Sequence, residues 1–360
     1  MIWFIWKFLC IPPKRNALVP GAKGNSVTDT ATQIDPATIP GSQSPHPWAH
    51  PWPAWRAILI RVYTMVGYHN LTLMAAGVAF YAFLSFVPLL GAIVMTYGLV
   101  ADPSTVSRHM QTIFELVPAD AARLISDQLI AVVTTASTQA GLGLAVALLL
   151  SIYGAMRAAS AIIQALNVIY EEEDERNIIT TTLLSAMITM AAIVAALVGI
   201  VSAGVLTWIR NETQFLGTAG AIVIQGATWL VAGGIASAAI AFAYRYGPDR
   251  ARARWRWLSV GSVAATVLWL LATVLFGVYA ANFANYNATY GALGAVVVLL
   301  MWLFVSSFAI LIGAEINAEA ERQTSVDSTV GHPRPMGRRG ARLADTLPTK
   351  HQAKPRRDRY

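Results

Sequence analysis

The sequence predicts an all-α, polytopic membrane protein with six transmembrane helices, an N-terminal interfacial helix and an external helical hairpin. Three observations lead there. Of 360 residues, 56% are hydrophobic and only 12% charged, a balance that a water-soluble fold does not carry. The charge is also segregated: six apolar windows, 71–100, 141–170, 180–209, 216–244, 258–283 and 291–314, hold a single formal charge between them, Arg157. Each window has 24 to 30 residues, more than the roughly 20 that a helix needs to cross a ~30 Å hydrocarbon layer and far more than the ~10-residue alternating strands of an outer-membrane barrel. A barrel is excluded.

Orientation follows from the basic residues outside the windows. Taking alternate loops, 22 Lys and Arg fall on one side and three, Arg108, Arg123 and Arg210, on the other. The positive-inside rule then places both termini in the cytoplasm. The acidic run 171–175 lies on the same side, and acidic residues count little in that rule. The net charge of +7 sits on these flanks and tails, where membrane orientation and anionic lipid account for it, so nucleic acid is not expected as a partner.

In chain order, residues 1–11 are apolar and aromatic but carry Lys7 and lack a small-residue exit, so they do not read as a cleaved signal. The Pro-rich stretch to residue 53 lacks the aliphatics to bury a core, and 1–53 reads as a disordered arm. Residues 54–69 put Trp55, Ile58, Leu59, Val62 and Val66 on one helical face, which predicts a helix lying at the membrane interface. The loop 101–140 opens with Asp102 and Pro103 and carries two apolar stripes separated by Pro118, the pattern of a helical hairpin. Residues 54–322 form the membrane domain, and the polar, basic stretch 323–360 reads as a disordered tail.

Few residues inside the spans carry chemistry. Tyr81, Ser85 and Pro88 interrupt the first span, and Pro88 predicts a kink that either lines a cavity or packs on a neighbour. Arg157 is costly inside a span, at least roughly 2.5 kcal/mol, and calls for a partner or for snorkelling to the interface. Glu315, at the end of the last span, is the expected partner, with a depth mismatch of about 12 Å to absorb at 1.5 Å per residue; Gln164 and Asn167 lie one and two turns beyond the arginine. Asn282, Tyr286, Asn287 and Tyr290 crowd the exit of the fifth span, either as an external turn with an aromatic belt or as the lining of a polar cavity. Gly226, Gly233 and Ser237, with Ala155 and Ala159, predict close helix packing. The acidic run and the basic segment 250–254 are expected to pair. Cys10 is alone, the six histidines form no catalytic cluster, with His69 and His109 alone, and no ligand spacing predicts a metal; no cofactor is expected.

Four strings in order resemble the YihY/BrkB family of bacterial inner-membrane proteins. They are Ala75-Ala76-Gly77-Val78-Ala79-Phe80-Tyr81 running to Phe86-Val87-Pro88-Leu89; Arg157-Ala158-Ala159 through Ala165-Leu166-Asn167 to Tyr170; Tyr286-Asn287 with Tyr290-Gly291-Ala292-Leu293-Gly294; and Trp302-Leu303 through Gly313-Ala314-Glu315-Ile316-Asn317-Ala318. The resemblance covers residues 55–322. It implies a six-helix membrane domain with cytoplasmic ends. It also brings links to virulence, serum resistance and envelope lipid biology. Members have carried the name ribonuclease BN, but this chain lacks the His/Asp clusters of a metal-dependent ribonuclease, and the reading is that of a non-enzyme. The function expected is a transporter or flippase-like protein for a lipid or other anionic envelope component. A non-catalytic scaffold that recruits a cytoplasmic or envelope partner is the alternative. No ATP-binding P-loop is present, so transport would draw on an ion gradient or another protein.

Overall fold

The computed structural model describes residues 38–100, 140–212, 217–283 and 292–348. They form a 3-10 turn, Pro47–Ala49, and seven helices: α1 (Trp52–Tyr68), α2 (Leu71–Val100), α3 (Ala140–Ile169), α4 (Ile178–Glu212), α5 (Gly217–Tyr246), α6 (Trp255–Phe283) and α7 (Ala292–Arg322). Among the described residues there is no strand, only an isolated antiparallel bridge between Ala253 and Thr329. Helices α3 to α7 each contain a stretch long and apolar enough to cross a membrane. Helix α1 with the first part of α2 passes that test only as a pair bent by 65°, which brings the total up to six. The expected hairpin lies outside the described residues.

The bend has a local cause. His69 caps α1, and Asn70 adopts φ 53°, the left-handed region that Asn tolerates better than most residues. Helix α2 continues through Pro88, where a kink is expected, and the 65° bend lies ahead of it, between α1 and α2. Helix α1 packs the expected face on the bundle rather than on the membrane surface. Its buried residues are Ala54, Ile58, Val62 and Met65, and the cluster around Ile58 and Val62 is completed by Val260 of α6 with Ile316 and Ala320 of α7. The predicted stripe is therefore largely a bundle-packing face, with Leu59 left exposed beside Trp52, Ile60 and Tyr63.

The main buried cluster draws Leu71 and Ala75 from α2, Leu166 and Ile169 from α3, Tyr244 from α5, Leu258 from α6, Leu311 and Ala314 from α7, and Leu343 from beyond the last helix. These lie where α3, α5 and α7 end and α2 and α6 begin, so the bundle is best packed at this end, called the polar end below. Toward the middle of the spans large side chains such as Leu149, Leu230 and Leu275 face outward, as lipid-facing helices require.

Two backbone crossings set the helix spacing. A Cβ added at Gly313 of α7 would lie 2.5 Å from the Gly261 carbonyl oxygen and 2.5 Å from Ala265 Cβ, and a Cβ at Gly154 of α3 would lie 2.8 Å from Ser85 Cα. Close approach of helix backbones is what small residues permit in lipid. The expected contact at Gly226 is corrected: a Cβ there meets nothing within 4 Å. Ser237 does reach across, with its hydroxyl 3.1 Å from that of Ser262.

The segments expected to be unstructured are corrected for residues 38–53 and 323–348, which pack on the polar end. Thr324 Oγ1 donates to the Ser42 and Ser44 carbonyls, Ser325 N to Ser42 O, and Trp48 Nε1 to Ser259 Oγ. The buried Arg339 donates to the carbonyls of Arg334, Ala344 and Ser325. The order rests on hydrogen bonds, some between residues distant in sequence and some within the tail, which leave no hydrophobic period in the sequence.

Gly261→Ala should destabilise the detergent-solubilised protein by about 1–3 kcal/mol, the usual cost of overpacking, whereas Gly226→Ala should be neutral or slightly stabilising. Thermal unfolding of the two variants checks this, and equal melting temperatures would show that the α6–α7 crossing has slack.

Candidate functional site

Two loci carry the polar chemistry of the spans, and they are of opposite kinds. The first is the α2–α3 crossing. Gly154 sits against Ser85, whose hydroxyl donates to Ala82 O at 2.8 Å within its own helix, so Ser85 marks a contact between helices. One turn along, the Arg157 guanidinium lies 5.4 Å from the centre of the Tyr81 ring, a cation–π distance. Arg157 is exposed and Tyr81 half-buried. Among the described residues Arg157 makes no ion pair. The expected pairing with Glu315 is thereby corrected: Glu315 meets His69, through Oε2 and Nδ1, at 3.0 Å. Pro88, half-buried, follows one turn beyond Ser85 on α2.

The second locus is the polar end, where α7 finishes with Glu315, Asn317, Glu319, Glu321 and Arg322, all buried. Carboxylates in such a place need partners, since an unpaired buried charge costs several kcal/mol. Arg61 of α1 donates from Nε to Glu319 Oε2 at 2.5 Å and from Nη2 to Gln323 at 2.7 Å. Arg322 bridges Glu319, at 3.1 Å, to Glu171. Arg250 donates to Glu321 at 2.7 Å while stacking 4.4 Å over the Tyr170 ring. Glu321 also accepts from Ser328 Oγ. Asn317 ties α7 to α6, with Oδ1 accepting from Gly261 N at 2.7 Å and Nδ2 donating to Leu258 O at 3.1 Å.

The loops join this network in an arrangement different from the one expected. Among the described residues the acidic run makes no direct salt bridge to 250–254, although Glu172 and Arg250 attract each other electrostatically. Instead Glu171 faces Arg322 and Arg342, and Glu172 accepts the Arg342 amide. Asn167 is a clamp: Oδ1 accepts from Asp249 N at 2.8 Å, and Nδ2 donates to Asp174 at 3.0 Å. Arg176 beside Asp174 holds that carboxyl below the usual aspartate range, whereas burial holds Glu172 above the usual glutamate range.

The structure thus brings Tyr81, Ser85 and Arg157 together and puts Asn167 and Glu315 at the other locus. Asn282 falls in the last turn of α6, and Tyr286, Asn287 and Tyr290 lie outside the described residues. Sequence reasoning treated His69 as isolated, expected Arg250 to pair with the acidic run, and gave no site role to Arg61, Tyr170, Glu319 and Glu321. The legible signal was the spacing Glu315, Glu319, Arg322 at the end of an apolar helix, which places three charges on one face.

Taken together, the helices, their outward apolar surface and the charged closure of one end define a polytopic α-helical membrane protein. The chain belongs to the family described as Virulence factor BrkB, whose profile matches residues 62–336. It is similar to the ribonuclease-like protein YfkH of Bacillus subtilis (strain 168), 29% identical over 251 residues, 68% of this chain and 88% of that one. Shorter similarities join it to UPF0761 membrane proteins. That of Aeromonas salmonicida (strain A449) is 41% identical over 59 residues, 16% of this chain and 20% of that one; that of Azotobacter vinelandii (strain DJ / ATCC BAA-1303) is 42% identical over 65 residues, 18% and 16%. No solved structure matches.

His50 gives a pH test of the polar end. It is buried at the seam between the N-terminal arm and α7, with Nε2 3.2 Å from Ala320 O. Burial holds its imidazole below the ordinary value, against the raising effect of that backbone contact. A depressed folded pKa means that stability is full above the unfolded value of about 6.5 and is lost as pH falls through it toward the folded value. Melting curves from pH 8 to pH 5 should show a fall below about pH 6.5 that is smaller in His50→Gln; identical profiles would remove His50 as its source.

Proposed function

We propose that the protein resides in the bacterial inner membrane with both termini cytoplasmic and moves a lipid or other anionic envelope component across or along the bilayer. Arg157 carries this reading. A charge in a spanning helix costs at least roughly 2.5 kcal/mol to insert, yet this one is exposed on the bundle, packed on Tyr81 and without a carboxylate among the described residues. A guanidinium kept in that state is matched by an anion from outside the chain, and a phosphate headgroup supplies one with bidentate geometry. The exposed face of α1, with Trp52, Ile60 and Tyr63 around Arg56, suits the interfacial layer beside such headgroups.

A scaffold is the second reading, favoured by one observation: residues 38–53 and 323–348 give the polar end a built surface on which a cytoplasmic partner has something to recognise. A ribonuclease, as the name of the Bacillus relative suggests, is the least supported. Among the described residues no three His, Cys, Asp or Glu side chains are grouped to hold a metal ion, and Glu319 and Glu321 are committed to arginines. We therefore expect the purified protein to leave RNA intact; cleavage that vanishes on a single Asp, Glu or His substitution would reverse this.

Native mass spectrometry of the full chain should find phosphatidylglycerol retained in preference to phosphatidylcholine, with the preference largely lost in Arg157→Ala and reduced in Tyr81→Leu. Equal retention of both lipids by the wild type would sink the anionic-headgroup reading. In vesicles, an acyl-labelled phosphatidylglycerol should change leaflet faster with the protein than without it. Reporter fusions after Ala136 and Asn287 should read external and those after Arg176 and Arg254 internal; a reversed pair would overturn the orientation.

A further inference from the structure

Among the described residues, the buried carboxylates differ in what neutralises them. Glu319 faces Arg61 and Arg322, Glu321 faces Arg250, and Asp327 lies 3.9 Å from Arg339. Guanidinium stays charged at any accessible pH, so these pairs are fixed. Glu315 is the exception. Its side chain is 0% exposed, its partner is the imidazole of His69, itself 5% exposed, and its second oxygen, Oε1, has no hydrogen-bond partner.

The charge balance singles out the same pair. Arg61, Arg250, Arg322 and Arg342 are met by Glu171, Glu172, Glu319 and Glu321, four against four. The charge on Glu315 is therefore surplus to the arginine network, and what cancels it is a proton, on the imidazole or on the carboxylate. Imidazole and carboxyl groups can each bind or release a proton, so the pair can gain or lose one where the arginine pairs cannot.

We propose that His69 and Glu315 together form a proton-binding site, through which the movement proposed above is coupled to a proton gradient. The coupling rests on the transport reading; the site does not. In the binding step a proton from water forms an N–H bond on His69 or an O–H bond on Glu315. The pair goes from a net charge of minus one to zero, and no electrons are transferred. The surroundings of Glu315 are Glu319 and Arg322 on its own helix, His69 from the α1–α2 bend, and Tyr170 beyond the end of α3, behind which stand Arg250 and Glu321. The Tyr170 hydroxyl is also buried with no hydrogen bond of ordinary geometry. The site is placed where its occupancy matters mechanically: His69 caps α1 directly before Asn70, so its hold on Glu315 ties the 65° bend to the last span. Ionisable groups enclosed by membrane helices mark proton relays.

Two measurements on the full-length protein test this. Infrared difference spectra between about pH 5 and pH 8 should show a protonated-carboxyl band that is absent in Glu315→Gln and shifted along the pH axis in His69→Gln. In vesicles of phosphatidylethanolamine and phosphatidylglycerol holding an internal pH dye, an imposed pH gradient should alter the leaflet exchange of acyl-labelled phosphatidylglycerol. That response should be lost in both variants. A Glu315 carboxyl with unchanging protonation across the range overturns the site. A titrating carboxyl with lipid exchange that ignores the gradient overturns the coupling and leaves transport standing. Titration of Glu315 with no lipid exchange at all supports the site and rejects the transport reading.

Discussion

Three glutamates at the end of a membrane-spanning helix are buried, and the architecture around them follows from the need to neutralise them. Glu315, Glu319 and Glu321 point into the junction of α1, the α3–α4 connection, the 247–254 segment and α7 itself. Three of these contribute a counter-group: Arg61 and His69 from the α1 end, Arg250 from the loop, Arg322 from the same helix. Stripping one of these away would strand a charge in a poorly hydrated site. The bend at His69–Asn70, the docking of α1 on α7 and the closing of the tail over Glu321 through Ser328 are three parts of one electrostatic requirement.

The spans were legible because exclusion of charge over 20 or more residues is a strong and local signal. Their partners were not. Arg157 and Glu315 looked like a pair because Arg157 was the one charge inside a window and Glu315 the first beyond the last window, but His69 sits 246 positions from Glu315 in a helix break that hydropathy does not mark. The order of residues 323–348 was hidden for a related reason: Arg339 satisfies three carbonyls and Asp327 accepts from the Thr329 and Arg334 amides, chemistry set by tertiary placement. Gly226 and Gly261 look alike in sequence, and only the neighbouring backbone separates an open position from a crossing.

The open locus and the closed one share α3. Arg157 and Asn167 are ten residues apart on it, about 15 Å along the axis at 1.5 Å per residue, and Tyr170 follows directly. One rigid element therefore runs from the exposed guanidinium to the clamp of Asp174 and Asp249 and on to the ring under Arg250. A shift of α3 at either end is felt at the other without any intermediate chain of contacts.

Helix α1 is the first of these helices to leave the ribosome, and what it packs against is the last. Ile58 and Val62 rest on Ile316 and Ala320, and Arg61 grips Glu319 across 258 positions of sequence. Chains emerge from the N-terminus forward, so until α6 and α7 are made α1 has an apolar stripe without its bundle partners and Arg61 without Glu319. The membrane surface is the natural waiting place for a helix of that composition. The polar end then assembles in one late event when α7 arrives. Shortened translation products that stop before residue 315 would be inserted, yet would still present α1 in its unpaired form, which gives quality-control proteases a sign of incompleteness at the opposite end of the chain from the defect.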